Sequence, residues 1–243
     1  MELRKIPIFL LLFGCVSSWR APDDFIFLPI KSGEYDIATW QKITSSDDAV
    51  HIYIEGDGRA FDSAGRPTFD PTPRGTFLRD IAMSDSASNV VYMARPCQFI
   101  KSDACTISDW TDGRFSRKII ESVAYAVKQV SGNKPIILIG YSGGAMVSGL
   151  LIENHPELDV KKWITIAGVL NHSDWTGYFG DAPLDQSMNI EKIPSLPQIH
   201  YVAEKDKTVP LDLSKSWLNE ENMVVISDAT HDDFKMLEID FSY

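Results

Sequence analysis

The chain has 243 residues, 44% of them hydrophobic and 23% charged, which is the composition of one ordinary globular domain. Its 23 Lys and Arg against 34 Asp and Glu leave a formal net charge of −11, which argues against a nucleic-acid partner because phosphate binding needs clustered cations. Acidity of this size serves solubility and names no substrate.

Arg4 and Lys5 open a short basic start, and Ile6 to Phe13 is apolar apart from Pro7. A helix needs about 20 residues to cross a bilayer, so this run fits the apolar region of an export signal instead. Residues 1–14 read as that signal and 15–243 as the folded domain. The string Leu12-Phe13-Gly14-Cys15 resembles the lipobox of bacterial lipoproteins, with Phe13 departing from the small residue usual there. That resemblance implies a lipid on Cys15 and a place in the cell envelope, with membrane contact only through the lipid; ordinary cleavage nearby, and an uncleaved anchor or chance match, are the alternatives. Cys97 and Cys105, in a loop-like segment, then remain as an even pair, read as a disulfide in an oxidising compartment. Two buried free thiols are the alternative. No nearby His or third Cys completes a metal-ligand set.

Eight short apolar runs read as strands: 25–30, 35–40, 50–54, 90–93, 136–139, 163–167, 199–202 and 223–226. They are rich in Val, Ile, Phe and Tyr and mostly bounded by Gly, Pro, Asn or Asp. The first two lie too close for a crossover helix and are expected to pair as an antiparallel hairpin at one edge. Helical spacing links Ile119, Val123, Ala126 and Val127, and again Met146, Leu150 and Leu151. Residues 76–83 and 211–218 are weaker helix candidates. Alternation of strands and helices predicts an α/β fold: a mostly parallel, twisted sheet of about eight strands with helices on both faces. The stretch from Asn171 to Pro197 has no clear period and reads as an excursion over a functional rim, or as a crossover with a hidden helix.

The chemistry centres on Ile136-Ile137-Leu138-Ile139-Gly140-Tyr141-Ser142-Gly143-Gly144-Ala145. A buried strand runs into Gly-x-Ser-x-Gly and then into small residues that open a helix. A nucleophile on a strained strand-to-helix turn needs Gly on both sides, because a side chain there would strike the neighbouring strand and helix. The motif alone is weak; its position between strand and helix makes it specific. An ordinary glycine-rich turn is the alternative.

At these residues the chain resembles the α/β-hydrolase family, whose reactive groups follow the order Ser, acid, His. The resemblance implies Ser142 as nucleophile and Asp206 as acid, in Glu204-Lys205-Asp206-Lys207-Thr208-Val209-Pro210 just past a strand, with Glu204 and Asp228 as competitors. Of the five histidines, His231 alone follows the last strand and takes the place of the base. His51 and His200 read as half-buried packing residues, His155 before Pro156 as a helix-end residue, and His172 as a rim residue able to touch substrate. One oxyanion donor is expected from the Gly143 amide. The second is expected from Glu55-Gly56-Asp57-Gly58, which looks like the family's His-Gly loop with Glu55 where His is common. There the Asp57 amide is the first choice and Gly58 the second; a plain turn is the alternative. Trp110 to Ser116 and Arg95-Pro96-Cys97 resemble stretches of envelope-associated α/β-hydrolases of uncharacterised substrate. A structural role is expected for them, with Trp110 and Arg114 against the top edge of the sheet and substrate contact as the alternative.

These readings converge on a serine hydrolase acting on a small-molecule ester or related acyl substrate, with no cofactor and no metal. An acyltransferase, a thioesterase or a peptidase would use the same groups. A non-catalytic envelope lipoprotein that keeps the fold for binding is the rival from a different class.

Overall fold

The computed structural model describes residues 19–235 and 237–243. The expected export signal and the expected lipidation site, Cys15, lie outside the described residues. An eight-stranded sheet has the order β1-β4-β6-β5-β7-β8-β9-β10. Its strands are β1 (Ile26–Phe27), β4 (Thr39–Ile43), β5 (Val50–Ile54), β6 (Asn89–Met93), β7 (Ile136–Tyr141), β8 (Val160–Ile166), β9 (Gln198–Ala203) and β10 (Met223–Ile226). From β6 to β10 every neighbouring pair is parallel, while β1 and β4 are antiparallel at one edge.

The two N-terminal strand candidates behave differently from one simple hairpin. β1 pairs with β4 in the main sheet, whereas β2 (Ile30–Ser32) and β3 (Tyr35–Ile37) form a separate two-stranded ladder. Each apolar run is thus divided between two ladders, because the tight turn at Gly33 (φ 58°) closes β2 on β3 before the chain reaches the sheet.

Alternation along the strands sorts side chains onto two faces. Val50, Ile52, Ile54, Ile136 and Leu138 join one apolar cluster with helices α2 (Arg117–Ser131) and α3 (Gly143–Asn154). Tyr53, Ile137 and Ile139 point the other way, onto α1 (Phe77–Ser84) and the C-terminal segment around Phe234. Each fully buried Ile or Leu contributes roughly 2 kcal/mol of hydrophobic stabilisation. α2 is amphipathic, with Ile120, Val123, Val127 and Val130 on the core side. α3 is buried from Gly143 through Leu151, which is why its sequence lacks a polar stripe.

The remaining helices are α4 (His172–Phe179) and α5 (Leu211–Trp217). α4 lies within the stretch expected to be an aperiodic rim. Its start is capped by Asn171, whose side chain accepts from the Asp174 amide, and it stops at the left-handed Gly180. The Cys97–Cys105 disulfide ties the segment after β6, with Cα atoms 5.8 Å apart. No described helix is long and apolar enough to cross a membrane.

Candidate active site

Strand β7 is central in the sheet, and its C-terminal end carries Ser142 in a strained backbone conformation, φ 53° and ψ −122°. The strain is held from both sides. A Cβ on Gly140 would overlap the first turn of α3, and one on Gly144 would overlap the Ile54 carbonyl of β5. The glycines therefore let α3 start hard against two strands, which projects Ser142 above the sheet edge.

The expected acid and base, Asp206 and His231, come from beyond the ends of β9 and β10, towards one edge of the same sheet. Asp206 follows β9, and its side chain is fully buried. Its Oδ1 accepts from the amides of Thr208, at 2.7 Å, and Val209, at 2.8 Å, so the carboxylate cannot rotate freely. Its Oδ2 lies 2.8 Å from Nδ1 of His231, whose Nε2 lies 3.0 Å from Ser142 Oγ. An ionised carboxylate only accepts, so Nδ1 carries the hydrogen and Nε2 is left free to accept from the serine hydroxyl. Tyr141 packs against the imidazole at 5.2 Å between ring centroids, and burial pushes its hydroxyl pKa up, keeping it neutral.

The expected competitors for the acid are elsewhere. Glu204 accepts from the Asp228 amide at 2.9 Å and Asp228 pairs with Lys205, an exposed brace between the ends of β9 and β10. The other histidines also separate from the site. His51 is buried and bonds Asp85 at 2.7 Å, and His155 caps α3. His200 is fully buried between Thr165 and Gln198, and burial holds its pKa down at about 3. His172, expected at the rim, is a correction: it is buried, stacked on Phe115, and does not line the cleft. It opens α4 with its ring turned to the core, an orientation its aperiodic surroundings conceal.

The loop after β5 reaches Ser142. A Cβ on Gly56 would lie 3.0 Å from the Ser142 Cβ, and one on Gly143 would overlap the Asp57 carboxylate. Glu55 is buried and fixes this loop: Oε1 accepts from the Gly56 amide at 2.8 Å and Oε2 from the Tyr92 hydroxyl at 2.6 Å. Burial raises its pKa against those hydrogen bonds. The amides of Gly143 and Asp57 make no backbone hydrogen bond among the described residues, so both are available as donors. Gly58, the second choice, takes a left-handed conformation (φ 61°) that carries the loop away past Pro71.

The Asp57 carboxylate would oppose negative charge developing beside it, and two arginines answer it. Arg95 donates to Oδ1, and Arg114 Nε lies 3.2 Å from Oδ2. Burial works to raise the Asp57 pKa, but Arg114 and Arg95 outweigh it and hold the group below the usual carboxylate range. Sequence reasoning missed the role of Arg95. The available signal was its position immediately beyond a central strand, where open parallel sheets place their ligand sites. Trp110 is structural as expected, its indole donating to the Thr68 carbonyl at 3.1 Å, but Arg114 faces the site as well as the sheet edge.

Ser142 and His231 open into a cleft of about 790 Å³, whose walls include Phe61, Phe77, Trp175 and Arg114. No group of three or more His, Cys, Asp or Glu side chains able to hold a metal ion occurs among the described residues.

This sheet order and site position are those of the α/β-hydrolase fold. Solved structures share it: a lidless α/β serine hydrolase from Xanthomonas campestris matches with a TM-score of 0.54 at 14% identity, over 86% of this chain and 87% of that one. A protein from Agrobacterium vitis matches at 0.59 and 13% identity, over 85% and 92%. Est1E from Butyrivibrio proteoclasticus matches at 0.58 and 10% identity, over 84% and 90%. No protein-family model matches the chain, and no curated protein matches it in sequence.

Proposed function

We propose that this chain is a serine hydrolase that cleaves an ester or related acyl bond through an acyl-enzyme. The observation that carries the reading is the relay from Asp206 through His231 to Ser142, with steps of 2.8 and 3.0 Å, ending on a strained turn at the floor of an open cleft. Backbone strain of this kind costs about 1–3 kcal/mol, which a binding protein has no reason to retain.

In the reaction, Ser142 Oγ attacks the acyl carbon while His231 Nε2 takes its proton. The amides of Gly143 and Asp57 receive the oxyanion. The tetrahedral intermediate collapses, the alcohol leaves with the proton from His231, and an acyl-serine remains. Water then attacks the acyl carbon and gives its proton to His231, which passes it to Ser142 Oγ as the acid leaves and the serine is regenerated. Asp206 holds the imidazole in one tautomer and stabilises its charge. The open cleft and the lidless neighbour favour a small soluble ester.

Labelling with a fluorophosphonate probe and turnover of a short nitrophenyl ester test the reading together. Ser142→Ala is expected to abolish both, and His231→Ala to reduce turnover nearly as far, by about 10⁶-fold, because the two act as one unit. A Ser142→Ala protein that still labels at the wild-type rate would move the nucleophile elsewhere.

A further inference from the structure

Around Asp57, at one end of the cleft, the side chains hold more positive charge than negative. One carboxylate, Asp57, meets two guanidinium groups. Both terminal nitrogens of Arg95 have an acceptor, one in Asp57 and the other in the Arg114 carbonyl. Arg114 differs. Its side chain is only 3% exposed and its Nε makes no well-aligned hydrogen bond despite the nearby Asp57. Its remaining N–H groups likewise find no acceptor among the described residues, although the side chain lines the same cleft as Ser142.

Aromatic rings surround this guanidinium without satisfying it. Its Cζ lies 5.6 Å from the Trp175 ring, 5.7 Å from Phe115 and 5.9 Å from Phe61. Ring faces attract the charge but leave its donors without lone pairs. Buried donors are nearly always paired, and a planar fork of N–H groups matches the two oxygens of a carboxylate or phosphate. Of the other carboxylates along the cleft, Glu55 is tied to Gly56 and Tyr92, Asp80 is tied to Trp19 and Thr76, and Asp232 is exposed and makes no ion pair with Arg114 among the described residues. Arg74, exposed on the same wall, adds positive charge.

We infer that Arg114 is a specificity residue and that the substrate is an ester bearing its own carboxylate or phosphate, which Arg114 holds while Ser142 attacks. The inference rests on the hydrolase reading and narrows its substrate class. Asp57 links the two groups, since its carboxylate lies against Gly143 and against Arg114. The charged group therefore sits at the oxyanion side of the cleft, between the rings of Phe61 and Trp175.

Three matched ester pairs test it. 4-Nitrophenyl hydrogen glutarate against 4-nitrophenyl valerate places the charge on the acyl side. 4-Acetoxybenzoate against phenyl acetate places a carboxylate on the alcohol side, and 4-acetoxyphenyl phosphate places a phosphate there. In at least one pair the charged ester is expected to lead in kcat/KM by about ten- to hundredfold, mainly through KM, the factor one charge-assisted hydrogen bond commands. The preference should collapse in Arg114→Gln and survive in part in Arg114→Lys; a ratio within each variant cancels any change in Asp57. Neutral esters leading in every pair, or a preference that Arg114→Gln leaves intact, would overturn the inference.

Should Arg114→Gln fail to fold, the wild type decides. Free glutarate is expected to compete with a neutral ester where glutaramide does not, and equal inhibition by both counts against the inference. An enzyme that neither labels nor turns over any ester would sink the hydrolase reading instead. Calorimetric titration with glutarate would then still judge Arg114 separately, with binding expected and its absence refuting it.

Discussion

The two arms of the site are built differently. The nucleophile arm is the centre of the molecule: β7 lies between β5 and β8, and α3 behind it is buried through Leu151. The acid–base arm stands at an edge, where β10 has four residues and Val224 and Val225 are exposed. Packing fixes Ser142, whereas hydrogen bonds fix Asp206 and His231. Beyond Ser142 itself, damage to the packing of the first arm should therefore appear as lost stability, and damage to the second as lost turnover in a folded protein.

Asp206→Asn gives the largest effect on the acid–base side after loss of the histidine itself. The amide can donate to Nδ1, which leaves the hydrogen on Nε2 and denies Ser142 its base. Turnover is expected to fall by about 10⁴-fold with an unchanged melting temperature. A folded variant with near-normal turnover would mean that another group orients the imidazole.

Gly144→Ala probes the other arm. Its methyl group would overlap the Ile54 carbonyl of a central strand, which cannot move without β5 and β6. A loss of about 3 kcal/mol in denaturant unfolding is expected, at the upper end of ordinary overpacking. A stable but inactive variant would show that the elbow can shift independently of the core.

The same contrast explains what the amino-acid sequence reveals. β5 and β7 are buried on both faces, so they read as apolar runs, broken in β5 only by His51, and the glycines around Ser142 mark the turn they must permit. The order Ser142, Asp206, His231 is legible because each follows a strand end. α4 is hidden because only His172 and Thr176 of its residues are buried, too few to set a helical period. Its boundaries at Asn171 and Gly180 were the only local signals. The cluster of Asp57, Arg95 and Arg114 is hidden for another reason. These charges are distant in sequence and meet only because the ends of β5 and β6 are adjacent in the folded sheet.

A smaller effect separates the arms by pH. His200, in β9 of the acid–base arm, is fully buried, and burial holds its pKa at about 3, against 6.5 for the free side chain. Between these values the unfolded chain binds a proton that the folded chain does not. The contribution is fully present above about pH 6.5 and is lost as pH falls towards 3, at up to about 1.4 kcal/mol per pH unit. His200→Gln should flatten the decline of unfolding free energy in that window. An unchanged slope would place the acid-sensitive group elsewhere.

The smallest effect belongs to the exposed brace beside the acid. Glu204 stands two residues before Asp206 and Asp228 three before His231, at the same end of the sheet, so each competes with Asp206 for the proposed acid role. Glu204 instead spends one oxygen on the Asp228 amide, and Asp228 faces Lys205 in solvent. Neither bonds an imidazole nitrogen, and exposed ion pairs of this type contribute little because water and salt screen them. Glu204→Gln and Asp228→Asn are therefore expected to keep turnover within about twofold of wild type and to show no added salt dependence. Measured beside Asp206→Asn on one ester, they test whether burial and two fixed amides, rather than position near a strand end, select the acid. A large loss in Asp228→Asn alone would shift the argument to the backbone. Asp228 has a positive φ of 61° three residues before the base, so a turnover defect there would mean that this turn, and not Asp206 alone, sets the position of His231.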